Sequence, residues 1–124
     1  MERGDVERWI SEYEAAWRSL GTAALTTLFA PDVEYLPSPW DDPIVGLSAL
    51  AEFWDAERDG PDEPFTMRWR VIALEDDTAV VRVEVEYETP AQSWRDLWVL
   101  TFDTGGRCMR YEEWPFAPEQ DDGH

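Results

Sequence analysis

From Phe65 to Phe116 apolar and polar residues alternate along the chain, and a chain with a period of two must build a sheet. The clearest run is Ala79 to Glu88. Val81, Val83, Val85 and Tyr87 fall on one side of it, and Arg82, Glu84, Glu86 and Glu88 on the other. One dry face and one wet face mark an antiparallel strand. Phe65 to Leu74 reads as the strand before it, with Glu75-Asp76-Asp77-Thr78 as the turn. A second turn, over Thr89 to Gln92, leads into the stretch Trp94 to Phe116. There Trp94, Asp96, Trp98, Leu100 and Phe102 share one face, and Arg95, Leu97, Val99 and Thr101 the other. Both faces are largely apolar, so both are expected to be covered. Gly105 and Gly106 are expected to supply the positive φ values of a hairpin turn. The whole reads as a four-stranded meander.

The first half keeps a different period. Val6, Trp9, Ile10, Tyr13, Ala16, Trp17 and Leu20 recur at helical spacing, predicting an amphipathic helix over 5–20. Asp5 is its expected N-cap and Gly21 its C′ residue, and Glu14 can pair with Arg18 on the wet face. A second helix is expected from Thr22 to about Ala30, burying Leu25, Leu28 and Phe29 and stopped by Pro31. Asp32 to Leu36 alternates as a short strand with Val33 and Tyr35 on one side. Pro37, Pro39 and Pro43 then hold the chain extended through Trp40. A third helix runs from Ser48 to Glu57 with Leu50, Phe53, Trp54 and Glu57 on one stripe, and 58–64 is a polar loop. The order is ααβαββββ, an α+β fold with three helices on one face of a curved, mainly antiparallel sheet. One domain is expected over 1–118, followed by a polar, disordered tail over 119–124.

Charge narrows the partners. The chain of 124 residues carries a formal net charge of −18, and its ten basic residues are all arginine. Nucleic acid and anionic membrane both need a positive face, so neither is an expected partner. The one histidine is His124, the last residue, which removes catalytic triads, histidine-ligated metal sites and histidine acid–base pairs. No metal or cofactor is expected. Cys108 has no partner for an internal disulfide and reads as a buried structural thiol. No signal peptide and no membrane-spanning apolar run is seen, so a cytoplasmic location is the expectation. Eight tryptophans exceed what packing alone needs and point to an aromatic-lined interior or interface.

The punctuation of these elements resembles the cone-shaped α+β fold of the nuclear transport factor 2 superfamily, which includes ketosteroid isomerase, scytalone dehydratase and the SnoaL-like polyketide cyclases. The matching segments are L-F-A-P-D-V-E-Y (28–35), P-I-V-G-L-S-A-L-A-E-F-W (43–54) and L-W-V-L-T-F-D-T-G-G-R-C (97–108). The resemblance implies a cystatin-like cone whose concave sheet face and helices enclose a pocket. It is specific for a fold, not for a reaction. Set against ketosteroid isomerase, Tyr13 falls on the oxyanion-hole tyrosine, and Phe53 keeps an aromatic pocket wall. The two tyrosines that support the first fall on Phe29 and Trp54, so that hydrogen-bond network is not expected here. The general base falls on Pro37 and the neutral oxyanion-hole acid on Trp98. The isomerase's usual acids are therefore missing, as are the histidines associated with scytalone dehydratase.

Within such a pocket Glu113, Asp96 and Tyr13 are the catalytic candidates. A carboxyl among aromatic walls loses hydration and its pKa rises, which suits a general acid or base. The competing reading has Glu113 paired with Arg95 or Arg110, and Asp96 with an arginine at the rim. Tyr13 either orients a ligand oxygen or is a core tyrosine. By the same resemblance Tyr13, Trp17, Phe29, Tyr35, Trp40, Phe53, Trp54, Val83, Val85, Trp98 and Tyr111 are the expected ligand-binding residues, for a small apolar molecule. The expected activity is cofactor-free isomerisation, cyclisation or dehydration. The alternatives are ligand binding without catalysis and a homodimerisation module. A homodimer is expected through the open sheet face, where Leu97, Val99 and Trp114 need a cover.

Overall fold

The computed structural model describes residues 1–58, 64–88 and 91–120. The expected 58–64 loop, the turn over 89–92 and the tail over 119–124 therefore lie wholly or partly outside the described residues. The elements are α1 (Arg3–Trp17), α2 (Leu25–Leu28), β1 (Phe29–Leu36), β2 (Ile44–Val45), α3 (Leu47–Glu57), β3 (Phe65–Glu75), β4 (Thr78–Glu88), β5 (Ala91–Phe102) and β6 (Cys108–Phe116). They form the expected α+β fold, with the two-residue β2 as an addition to the predicted order. The six strands make one sheet in the order β2-β1-β6-β5-β4-β3. Strands β3 to β6 are the antiparallel meander read from the sequence, while β1 runs parallel to β6.

Helix α1 buries Val6, Trp9, Ile10, Tyr13 and Ala16. Its N-cap is Glu2 rather than Asp5. Asp5 is the third helical residue and accepts the Glu2 backbone N–H at 2.9 Å, which together with Arg8 holds its carboxyl below the usual range. The helix ends at Trp17, not Leu20, which is 82% exposed. Two side chains end it there. The Ser19 hydroxyl donates to the Ala15 carbonyl at 2.6 Å. The Arg58 guanidinium donates to the carbonyls of Ala16, Ser19 and Gly21 at 3.3, 3.0 and 2.8 Å, satisfying the helix's open acceptors. Gly21 does take a positive φ of 73°, three residues past the C-cap Arg18.

The second helix is a single turn. Phe29, Ala30 and Pro31, expected to close it, belong to β1 instead. Phe29 pairs with Cys108 of β6 and is fully buried, so pairing with a distant strand outweighs the local helical pattern. The β1–β6 register shifts between Phe29 and Glu34, the interval that holds Pro31, which has no N–H to donate. Gly46, with φ 90°, turns the chain from β2 into α3, and its N–H donates to the Val33 carbonyl at 2.9 Å.

In the β5–β6 turn the Asp103 carboxylate accepts the N–H groups of Gly105 and Arg107 at 2.9 and 3.0 Å. Only Gly106 of the two glycines takes a positive φ, 86°. The core lies between the concave sheet face and the helices, with Ile10, Leu28, Leu50, Val81 and Leu100 fully or almost fully buried. The opposite face is not covered by the described residues, contrary to expectation: Leu97 and Trp114 are 40% and 41% exposed. No described helix is long and apolar enough to cross a membrane.

Candidate functional site

The core is not filled to its end. A cavity of about 280 Å³ opens between α1, α3 and the distal ends of the strands. That is close to the lower bound of small-molecule sites. Helix α1 supplies Tyr13 and Trp17, and α3 supplies Phe53 and Glu57. The concave faces of β3 and β4 add Phe65, Met67, Val85 and Tyr87. β5 adds Trp94, Asp96 and Trp98, and β6 adds Tyr111, Glu113 and Pro115. Tyr35 and Pro37 complete the wall from the end of β1.

Of the expected ligand-binding residues, Tyr13, Trp17, Tyr35, Phe53, Val85, Trp98 and Tyr111 line this cavity. Phe29, Trp54 and Val83 do not: they are buried behind the wall, where Trp54 packs edge-on against Trp17 at 4.8 Å. Trp40 is a correction of another kind. It is 95% exposed in the proline-rich segment, which the run of prolines carries past the pocket over the surface. The overlooked lining residues had a legible signal. Tyr87 and Trp94 continue the inward stripes of β4 and β5, and Glu57 the buried stripe of α3.

A chain of tyrosine hydroxyls crosses the back of the cavity. The Tyr13 hydroxyl lies 3.4 Å from those of both Tyr35 and Tyr111. Tyr111 in turn donates to Glu113 Oε1 at 3.3 Å. Tyr35 and Tyr111 stack face to face, with ring centroids 4.2 Å apart and planes 1° from parallel. Comparison with ketosteroid isomerase predicts no tyrosine network, because Phe29 and Trp54 stand at the supporting positions. A network exists all the same, through different partners. The parallel register that sets Tyr35 opposite Tyr111 builds it. Burial raises the pKa of all three phenols, so each is neutral at pH 7 and able to donate.

The chain of hydroxyls ends on a pair of carboxyls. In the β5–β6 register Trp98 faces Glu113 and Asp96 faces Pro115, which makes Asp96 and Glu113 diagonal neighbours on the concave face. Among the described residues neither pairs with an arginine. Arg95 sits 3.9 Å from Glu84 and Arg110 sits 3.0 Å from Glu112, both on the outer face. Asp96 is 7% exposed, not at the rim, and Oδ1 of its carboxyl meets no hydrogen-bond partner among the described residues. Glu113 is held well above the usual carboxylate range by burial and by the hydrogen bond and charge of Asp96. Asp96 is raised by burial too, but the Glu113 hydrogen bond and the Phe116 N–H pull it back. Two carboxylates side by side and shielded from water resist ionising together. Of the two, Glu113 is pushed further toward its protonated form, and Asp96 is the more acidic partner. Cys108 stays outside this chemistry. It is buried, its thiol donates to the Arg110 carbonyl at 3.2 Å, and burial pushes its pKa far up.

Residues 6–111 match the family model described as a SnoaL-like domain. No curated protein matches the chain. Among solved structures, a protein of unknown function with a cystatin-like fold from Methylobium petroleophilum PM1 superposes with a TM-score of 0.73 at 17% identity, covering 100% of this chain and 83% of that one. A candidate polyketide cyclase from Sinorhizobium meliloti gives 0.69 at 22% identity, covering 91% and 99%. A ketosteroid isomerase-like protein from Erwinia carotovora atroseptica SCRI1043 gives 0.64 at 20% identity, covering 93% and 96%. At these identities the likeness is one of fold.

Proposed function

The chain belongs to the SnoaL-like domain family, and on that premise we propose that its cavity takes a small, largely apolar, carbonyl-bearing molecule and moves a proton on it without a cofactor. The observation that carries this reading is the Asp96–Glu113 pair, two carboxyls set diagonally on the wall of an aromatic-lined cavity, with Glu113 held well above the usual carboxylate range. Asp96 takes a proton from the carbon beside the carbonyl while Glu113 gives its proton to the carbonyl oxygen. The product is an enol, with the negative charge moved from Asp96 to Glu113. Where the enol is conjugated with a second double bond, Asp96 returns its proton to the far carbon while Glu113 takes back the enol O–H proton, which completes an isomerisation and restores both groups. The neutral Tyr13 hydroxyl donates to the same oxygen as charge develops there, and Tyr111 holds Glu113 in place. Positioned acid–base catalysis of this kind contributes about 10²–10⁴-fold. A cytoplasmic location belongs to the same reading, and the free thiol of Cys108 suits it.

Exchange of the α-hydrogens of 2-tetralone in D₂O, followed by NMR, tests the proposal without knowledge of the natural substrate. The wild type is expected to exchange faster than buffer, and D96N and E113Q to lose about a hundredfold or more. Exchange at the buffer rate in the wild type rejects catalysis. It leaves ligand binding without bond change, a reading favoured by Trp98, which walls the cavity where the resembled isomerase keeps an acid.

A further inference from the structure

The cavity is one-sided in charge. Glu57, Asp96 and Glu113 line it, and no described lining residue is basic. Glu57 is exposed at the mouth, and Asp96 is at the back, 7% exposed. A carboxylate at Asp96 has no basic partner among the described lining residues, an arrangement that is costly unless something pairs with it. Two polar atoms in the wall also meet no partner among the described residues: Asp96 Oδ1, an acceptor, and Trp98 Nε1, a donor on a residue 3% exposed. Nearly all buried polar groups find partners, so two orphans in one cavity wall point to an occupant that carries the complementary groups.

The rings nearby already receive cations. The Arg18 guanidinium lies 3.8 Å from the centroid of Phe65, and that of Arg58 lies 5.9 Å from Trp17. Both guanidiniums are engaged elsewhere, Arg18 by Glu14 at 2.9 Å and Arg58 by Asp55 and the carbonyls that end α1. Neither neutralises Asp96.

We propose that the molecule this cavity selects is a small organic cation: a protonated amine whose N–H docks on Asp96 Oδ1, whose apolar body lies among Trp17, Trp94 and Trp98, and whose own acceptor oxygen meets Trp98 Nε1. This rests on the reading of the cavity as a ligand site and names the charge class of its ligand. A net charge of −18 concentrates such cations around the protein and repels carboxylates and phosphates.

Three probes of one shape test it on the wild type: 2-phenylethylammonium, 2-phenylethanol and phenylacetate, titrated at about 0.15 M salt, which screens charge at the surface more than in the cavity. The readout is the Trp98 indole N–H resonance, assigned by its loss in W98F. The ammonium is expected to shift it and to bind at least about tenfold tighter than the alcohol, with phenylacetate weakest. D96N should bring the ammonium down to the alcohol. Equal or tighter binding of the alcohol or of phenylacetate overturns the charge assignment and leaves the cavity reading intact. No shift from any probe overturns both. The wild-type comparison decides the matter even if D96N does not fold.

Discussion

At the scale of single residues, Glu113 sets the pH behaviour. Its folded pKa lies above the unfolded value because burial and Asp96 penalise the anion. The folded state therefore binds the proton more tightly than the unfolded chain does. Its contribution to stability is full below the unfolded carboxylate range and is lost as pH rises toward the folded value. E113Q mimics the neutral acid, so the stability difference between wild type and E113Q is expected to move against the wild type as pH rises above about 4.5. Each unit by which the folded pKa is raised adds about 1.4 kcal/mol to that drift. Urea titrations of both proteins across pH measure it, and parallel curves would show that Glu113 titrates as it does in water. Tyr13 was legible in the sequence because it lies on the apolar stripe of the first helix, whereas the inward side of Glu113 follows only from the register the family resemblance implies, since 109–116 carry no clean apolar stripe. Asp96 was legible as inward but not as a partner of Glu113, since a diagonal pair depends on the β5–β6 register, and local alternation does not carry register across a turn.

Among the elements, the long strands were readable and the short pieces between them were not. Period-two patterning over ten or so residues leaves little choice of structure. The boundary between α2 and β1 is decided by a partner far along the chain, Cys108 for Phe29, and the two-residue β2 exists only through its pairing with Glu34 and Tyr35 of β1. The same non-local pairing hid the Tyr35–Tyr111 stack. Arg58 shows what a single side chain contributes to an element. Its guanidinium satisfies the carbonyl end of α1 and is 6% exposed. R58A is expected to cost about 2 kcal/mol in urea unfolding, because hydrogen bonds from a charged donor are worth more than those from a neutral one. Gly46→Ala forces an alanine to φ 90° and is expected to cost about 1–2 kcal/mol in the same assay. The added Cβ would meet only the Pro31 carbonyl at 3.8 Å, so that loss would report backbone strain rather than a clash.

For the molecule as a whole, the outer sheet face and the charge make separate demands. Leu97 and Trp114 face each other across β5 and β6 and are both exposed in the single chain. A homodimer through this face is the expected cover, so sedimentation should show a species of about twice 14.4 kDa, and L97D should return it to the monomer mass. A monomeric wild type at micromolar concentration would reject it. The net charge of −18 repels itself in the compact state, so added salt is expected to raise the melting temperature. The parallel pairing of β1 with β6 has a consequence in time. The hydroxyl chain and the carboxyl pair draw on Tyr13 and Tyr35 from the first third of the chain and on Tyr111 and Glu113 from its last strand. During synthesis the amino-terminal helix and strand must wait, their apolar faces open, until the final strand leaves the ribosome and slots between β1 and β5. The step that makes the protein capable of binding anything is then the same step that closes the sheet, and a nascent chain released short of Tyr111 would have neither.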